Sequence, residues 1–269
     1  MSETSVLNPY SAPSSDLNPT ASNEISADPR LALARGYDFS IGDLLATAWR
    51  KTSGTKGLIW GGFLVMMGAL FMAQIVLYIV AMIFGIGFIG LGALSGSDGG
   101  MAVAGAFGLL GFILISSVAV VALMYPFLAG LNMIGIRQAA GQPLRFAEIF
   151  SHFGRTLPLF AAGLLIVIAT NIGYMLLILP GIYLQVALLL TIPLVVERKL
   201  SAWQAIVVSC KAINRHWFKV FFLMLSMGIL LVISALPFGI GLIWTMPMFI
   251  VMIGELYNRI FGVLPAPAV

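Results

Sequence analysis

The chain has 269 residues, 60% of them hydrophobic and only 9% charged, with a formal net charge of +4. Soluble domains carry about 25% charged residues, and a water-soluble protein this apolar would expose large greasy patches, so the composition excludes a single aqueous core and points to a bilayer as solvent. The positive balance reads as an orienting signal for membrane helices rather than a nucleic-acid footprint, and the single cysteine, Cys210, excludes an intrachain disulfide.

Residues 1–36 are rich in Ser, Pro, Asn, Ala and Thr and include Asn8-Pro9-Tyr10-Ser11-Ala12-Pro13. They show neither helical nor strand period, which predicts a disordered cytoplasmic tail. The first long apolar run begins only after Lys56, so no cleavable signal peptide is expected. Four charge-free stretches follow: Gly57–Ser97, Gly99–Ile136, Thr156–Val196 and Val220–Gly254. A spanning helix needs about 20 apolar residues. The third and fourth stretches are long enough for two spans each and carry Leu179-Pro180-Gly181 and Leu236-Pro237-Phe238-Gly239 near their middles, which read as breaks. In the first two, the dense glycines of Gly85–Gly92 weaken a helix. The reading is one span near 57–83, a glycine-rich connection through Asp98 and one span near 104–136. Further spans lie near 157–178, 182–197, 219–235 and 239–254, and a short tail follows from 261 to 269. An eight-span alternative would put Asp98 in the cytoplasm.

Charge placement favours six. All 14 Lys and Arg residues then fall on one side: Arg30, Arg35, Arg50, Lys51 and Lys56; Arg137, Arg145 and Arg155; Arg198, Lys199, Lys211, Arg215 and Lys219; and Arg259. The opposite loops hold only Asp98. The positive-inside rule then places both termini in the cytoplasm.

A one-sided amphipathic segment precedes each pair of spans. The first carries Ile41, Leu44, Leu45, Ala48 and Trp49; the second Phe146, Ile149, Phe150 and Phe153; the third Trp203, Ile206, Val207 and Cys210. Each follows helical spacing. Ser201-x-x-Gln204 matches a capping box; Ser40-x-x-Asp43 and Arg145-x-x-Glu148 do not. The return span of each pair holds a proline, Pro126, Pro193 or Pro247, which removes a helix hydrogen bond and kinks the chain. The expected fold is therefore all-α, a polytopic transmembrane helical bundle of six spans in three hairpins, each preceded by a cytoplasmic amphipathic helix and arranged as a parallel repeat.

The stretch from Leu179 to Phe222 carries Pro180-Gly181-Ile182 early in a span, Pro193 later in it, Glu197 at its end and then the amphipathic Trp203–Lys211. This resembles a large group of poorly characterised bacterial inner-membrane proteins, the YciC-like proteins and the membrane domain fused to some glycerophosphodiester phosphodiesterases. The Asn8-Pro9-Tyr10 tail resembles tails of related proteobacterial proteins. The resemblance implies a bacterial inner-membrane location and this topology. The phosphodiesterase of fused members is a separate soluble domain, for which this chain has no room, so that activity is not carried over.

No residue set specifies a reaction. His152 and His216 lie on cytoplasmic segments and read as interfacial histidines, with no acidic or cysteine partner at zinc-ligand spacing, and Cys210 reads as a small packed hydrophobe. Phosphate-binding and nucleophile-elbow motifs are missing, and no cofactor or metal is expected. No carboxylate lies deep in a span, which weighs against an ion-coupled pump; Glu197 and Glu255 sit at inner ends, and Glu255 can pair with Arg259 one turn on. Gln74, Asn171, Tyr174 and Gln185 fall in the outer half and are a candidate polar pocket. Arg50, Lys51, Lys56, Arg198, Lys199, Lys211, Arg215 and Lys219 are candidate contacts for anionic lipid headgroups. The expected function is that of a non-enzymatic scaffold or envelope-homeostasis factor, with membrane lipid and either a membrane-protein partner or a second copy as its company and no nucleic acid. The alternative is a passive permease or carrier for a small amphipathic solute or lipid.

Overall fold

The computed structural model describes residues 28–94 and 98–265, and every regular element among them is helical. In chain order these are α1 (Pro29–Arg35), α2 (Ile41–Lys51), α3 (Lys56–Ala93), α4 (Asp98–Ala139), two 3-10 turns (Phe146–Ile149 and Phe153–Arg155), α5 (Thr156–Leu176), α6 (Ile178–Ala187), α7 (Thr191–Glu197), α8 (Ala202–Asn214), α9 (Trp217–Ala235) and α10 (Leu242–Phe261). Five segments are long and apolar enough to cross a membrane: Lys56–Gly85, Ala102–Ala139, Phe146–Leu176, Ile178–Glu197 and Trp217–Ala235. These are the features of a multi-pass membrane protein. The expected sixth span, α10, does not join them, because Glu255, Asn258 and Arg259 make its last turns polar. It is instead largely enclosed, with Met248, Val251, Met252, Leu256, Tyr257 and Phe261 all buried.

Several expectations are corrected. Most of the expected N-terminal tail, residues 1–27, lies outside the described residues, as do residues 266–269 at the other end. Within that tail, however, Pro29–Arg35 is helical, started by Asp28, whose Oδ1 accepts from the Arg30 N–H at 2.8 Å. The glycine-rich connection is helix as well: α3 runs on to Ala93 and α4 starts at Asp98. Glycine costs about 1 kcal/mol per residue in a helix, but an unsatisfied peptide group in lipid costs several, so the helix continues. Each of the two stretches is thus one helix, with no room for the extra crossings of an eight-span chain. The second amphipathic segment forms 3-10 turns, not an α-helix. Arg145 cannot cap it, and Ser151 Oγ donates to the Glu148 carbonyl at 2.8 Å, competing with the helical pattern.

The prolines do not act alike. Pro126 and Pro247 lie inside continuous helices, whereas Pro193 is the third residue of α7, after a break at Leu188–Leu190. The broken backbone is satisfied from α8, as it must be inside a membrane protein: buried Ser209 Oγ donates to the Ala187 carbonyl at 2.7 Å and accepts from the Leu190 N–H at 3.2 Å. The break after α5 falls at extended Leu177, just ahead of Pro180, while the Leu236–Gly239 turn forms where expected, with positive φ of 49° at Phe238 and 76° at Gly239.

A cyclic pattern joins the three units. Each return helix packs on the amphipathic segment of the next unit: α4 on the Phe146–Ile149 turn, α7 on α8, and α10 back on α2. At the α4–α10 crossing the backbones nearly touch, and a β-carbon added to Gly254 would meet the Gly135 carbonyl oxygen at 2.2 Å. Small residues allow this approach between membrane helices.

Two features bear on topology. Helix α3, at 38 residues, is about 57 Å long, against a hydrocarbon core of about 30 Å, and Phe71, Met72, Val76, Ile79, Ile83 and Phe84 stand exposed along it. In addition, Trp60 Nε1 donates to the Ile243 carbonyl at 3.1 Å and the Lys56 ammonium lies 5.5 Å above the Trp244 ring. The six-span reading puts the Leu236–Gly239 turn and the start of α3 on opposite faces of the bilayer. The structure sets Ile243 and Trp244, at the start of α10, beside the start of α3.

Candidate functional site

The buried charge is gathered near helix ends, in three clusters centred on carboxylates. Glu148 accepts from Arg137 Nη2 at 3.2 Å and faces His152 Nε2 at 3.4 Å. Glu255 pairs with Lys51 at 2.9 Å and with Arg259 at 3.3 Å, the latter being the expected one-turn pair. Lys51 also donates to the Ala139 carbonyl at 2.5 Å, so one ammonium ties α2 to the ends of α4 and α10. Glu197 accepts from Arg198 Nε at 2.8 Å, from the Leu264 N–H at 2.7 Å and from the Tyr257 hydroxyl. Arg198 Nη2 reaches the carbonyls of Phe261 and Gly262, both at 2.9 Å. It therefore closes the C-terminal end of α10, where free carbonyls and the helix dipole favour a cation. Arg155 does the same for α7, donating to Val195 at 2.8 Å.

The eight candidate lipid-binding cations divide accordingly. Arg198 is corrected: its side chain is 1% exposed, with Nε and Nη2 bonded inside the protein, so it is not a headgroup contact. Lys51 is held by Glu255, Lys219 by Asp38, and Arg215 by the Leu33 carbonyl at 3.0 Å. Arg50, Lys56, Lys199 and Lys211 have no carboxylate partner among the described residues; Arg50 touches only Thr47 Oγ1 at 3.3 Å. Arg50 and Lys56 share a groove of about 280 Å³ with Trp49, Thr52, Ser53 and Trp244. Trp49 and Trp244 are both exposed there, at 53% and 39%.

The four candidate pocket residues are not gathered. The Tyr174 hydroxyl donates to Gln185 Oε1 across the α5–α6 turn. Asn171 spends its amide on the Val167 carbonyl of its own helix at 2.8 Å. Gln74 is half-buried on α3, which packs on α4, α10 and the first 3-10 turn rather than on α5 or α6. Beside Gln185, a groove of about 520 Å³ opens between α6 and α9, lined by Ile182, Val186, Phe221, Met224 and Leu225.

The linker before α2 docks on the α8–α9 corner. The Tyr37 hydroxyl donates to the Ala212 carbonyl at 2.9 Å, and its ring meets His216 edge-on at 5.1 Å. Burial pushes the Tyr37 phenol up to about 12, against the opposing pull of Arg215. The hydrogen bond from Lys219 and then the Phe39 N–H hold the exposed Asp38 carboxyl below its ordinary value. Burial raises the Cys210 thiol, keeping it protonated and unreactive. Among the described residues no group of three or more His, Cys, Asp or Glu side chains is placed to hold a metal.

Sequence reasoning missed Ser209, Gln138, Gln142 and Tyr257. Gln138 Nε2 donates to the Lys51 carbonyl at 2.6 Å and Gln142 Nε2 to the Leu264 carbonyl at 2.8 Å. Their partners are far away in sequence, so no local pattern marks them. Comparison with protein-family models, with curated proteins and with solved structures finds no match.

Proposed function

We propose that this chain is a multi-pass protein of the bacterial inner membrane, with its N-terminus in the cytoplasm, that works without catalysis as a scaffold or envelope-homeostasis factor holding anionic lipid at its inner face. One observation carries the reading. The cations that point inward are consumed by the chain's own carboxylates and carbonyls, while Arg50 and Lys56 remain uncommitted beside exposed tryptophans at the foot of a long apolar hairpin. That is the arrangement expected of an interfacial anchor, with aromatic rings at headgroup level and basic residues next to them.

In this reading α3 and α4 cross the bilayer. The Trp60–Ile243 and Lys56–Trp244 contacts support a third hairpin, α9–α10, that enters and leaves on the α2–α3 side instead of crossing. The carrier alternative has weaker support. Of its polar set, Tyr174 and Gln185 meet across the α5–α6 turn, but Asn171 bonds within its own helix and Gln74 lies apart on α3, and the α6–α9 groove beside Gln185 is lined mostly by apolar side chains suited to an acyl chain.

Native mass spectrometry of gently extracted protein tests the proposal. Adducts of anionic phospholipid or a co-purifying membrane protein are expected. Protein that carries neither, and that turns over a substrate in a way abolished by one point mutation, would overturn it.

A further inference from the structure

We propose that the groove between Trp49 and Trp244 is a seat for the phosphate of an anionic phospholipid, bound by Arg50 and Lys56 with Ser53. This rests on the lipid-holding reading above and names its site. Lys56 is fixed over the Trp244 ring at 5.5 Å, a cation–π placement that positions the ammonium without neutralising it. Arg50 stands exposed in the last turn of α2, and Ser53 lies exposed between the two cations in the chain. Thr52 is not available: it is buried and its hydroxyl is committed to the Ala48 carbonyl at 2.7 Å. The carboxylate of the neighbouring Glu255 is already taken by Lys51 and Arg259. The groove is therefore a locally cationic notch with one free hydroxyl, the donor set that a phosphate monoester or diester requires.

The surroundings select a lipid over a free phosphate. Trp244 follows directly on Phe238, Ile240 and Ile243, which are exposed at 102%, 57% and 45%. On the α3 side the groove opens toward exposed Leu64, Met67 and Phe71. A phosphate held at Lys56 would thus have two apolar surfaces beside it along which acyl chains can lie, where a water-soluble phosphate would gain nothing. Uncommitted Lys199 and Lys211, elsewhere on the inner face, lack this pairing of tryptophans and apolar walls.

The test uses the full chain in nanodiscs of phosphatidylcholine with and without phosphatidylglycerol. Native mass spectrometry counts the retained lipid, and brominated phosphatidylglycerol reports quenching of Trp244 fluorescence, taken as the difference between wild type and Trp244→Phe. Wild type should retain phosphatidylglycerol in preference to phosphatidylcholine. Arg50→Gln and Lys56→Gln should each weaken retention about fivefold, and together about twenty-five-fold. Lys199→Gln with Lys211→Gln is the matched charge control and should leave it unchanged. A double groove variant that melts like wild type and still retains phosphatidylglycerol would overturn the site, while leaving lipid holding as such intact. Wild type with no anionic preference at all would overturn the broader reading as well. Equal binding of inorganic phosphate or glycerol phosphate, displacing the lipid, would overturn the assignment to phospholipid.

Discussion

Replacing Gly254 with alanine tests whether α10 is seated on α4 as the structure has it. The added β-carbon would lie 2.2 Å from the Gly135 carbonyl oxygen and 2.6 Å from the Ile136 nitrogen. Both are backbone atoms, so no side-chain rotation relieves the clash. Ordinary contact starts at 3.4 Å, which means α10 must retreat by 1.2 Å. A radial gap of 0.5–1 Å already forfeits about a quarter to a half of each dispersion contact, and α10 packs much of its length into the core. Overpacking of this kind costs about 1–3 kcal/mol; the better helix propensity of alanine returns about 1 kcal/mol. The expected net loss is about 0–2 kcal/mol against wild type, and about 1–3 kcal/mol against a glycine-to-alanine change that gains the propensity without the clash, at roughly 2–4 °C of melting temperature per kcal/mol for a domain this size. Gly68→Ala is the control. It shares the propensity gain, but nothing lies within 4 Å of its added carbon, so it should melt at or slightly above wild type. Thermal unfolding of the three proteins in one detergent decides the matter. Gly254→Ala melting level with Gly68→Ala would refute the close α4–α10 crossing.

Further outcomes follow from the polar clusters and the linker. Arg198→Met should cost about 3–5 kcal/mol, because it strands the buried Glu197 carboxylate; protease digestion should then reach the segment after Phe261 before the rest of the chain. Tyr37, whose phenol is pushed up to about 12, is stabilised in its neutral form, so its contribution is fully present below pH 10 and lost as pH rises through 12. Phenolate absorbance should show one late-titrating tyrosine that disappears in Tyr37→Phe. Asp38, held below its ordinary value of 3.8 by Lys219, contributes above that pH and loses its effect as pH falls through its lower folded value. Limited proteolysis of the 36–40 linker should therefore rise only in strong acid, and Asp38→Asn should remove that step. In a Cys210→Ser background, cysteines at Ser53 and Phe238 should label from the same side with an impermeant reagent; labelling from opposite sides would restore a crossing α9–α10 hairpin.

How much of this was legible in the sequence varies by feature, for physical reasons. Helix positions and the Leu236–Gly239 turn follow from apolar runs and local punctuation. The Ser201–Gln204 capping box forms both of its bonds, and Glu255 reaches Arg259, because these interactions close within one turn. The glycines of Gly85–Gly92 misled, since their propensity penalty is set by water and the relevant solvent is lipid. Arg198 misled in another way: a cation at a span end looks interfacial, yet it is the cap of a helix 60 residues further on, seen only once Tyr257 and Phe261 are folded against it. Of the expected pocket, Tyr174 and Gln185 meet across the α5–α6 turn, while Asn171 bonds its own helix and Gln74 sits on α3, which packs elsewhere; which helices pair is not visible in the spacing of polar residues. The Arg50–Lys56 groove could be half-read, as two basic residues in a charged corner of the chain cannot announce that Trp244 is their wall.

The contact between α10 and α2 has a consequence for biosynthesis. Lys51 and Glu255 are 204 residues apart. At about 5–20 residues per second, a ribosome makes the second partner roughly 10–40 s after the first. During that interval Lys51 and the glycine face of α4 are already made and have no mate. The nascent chain must therefore be kept from aggregating or being degraded by whatever attends membrane insertion, and a message truncated before residue 255 would leave helices in the bilayer that never close into a stable product.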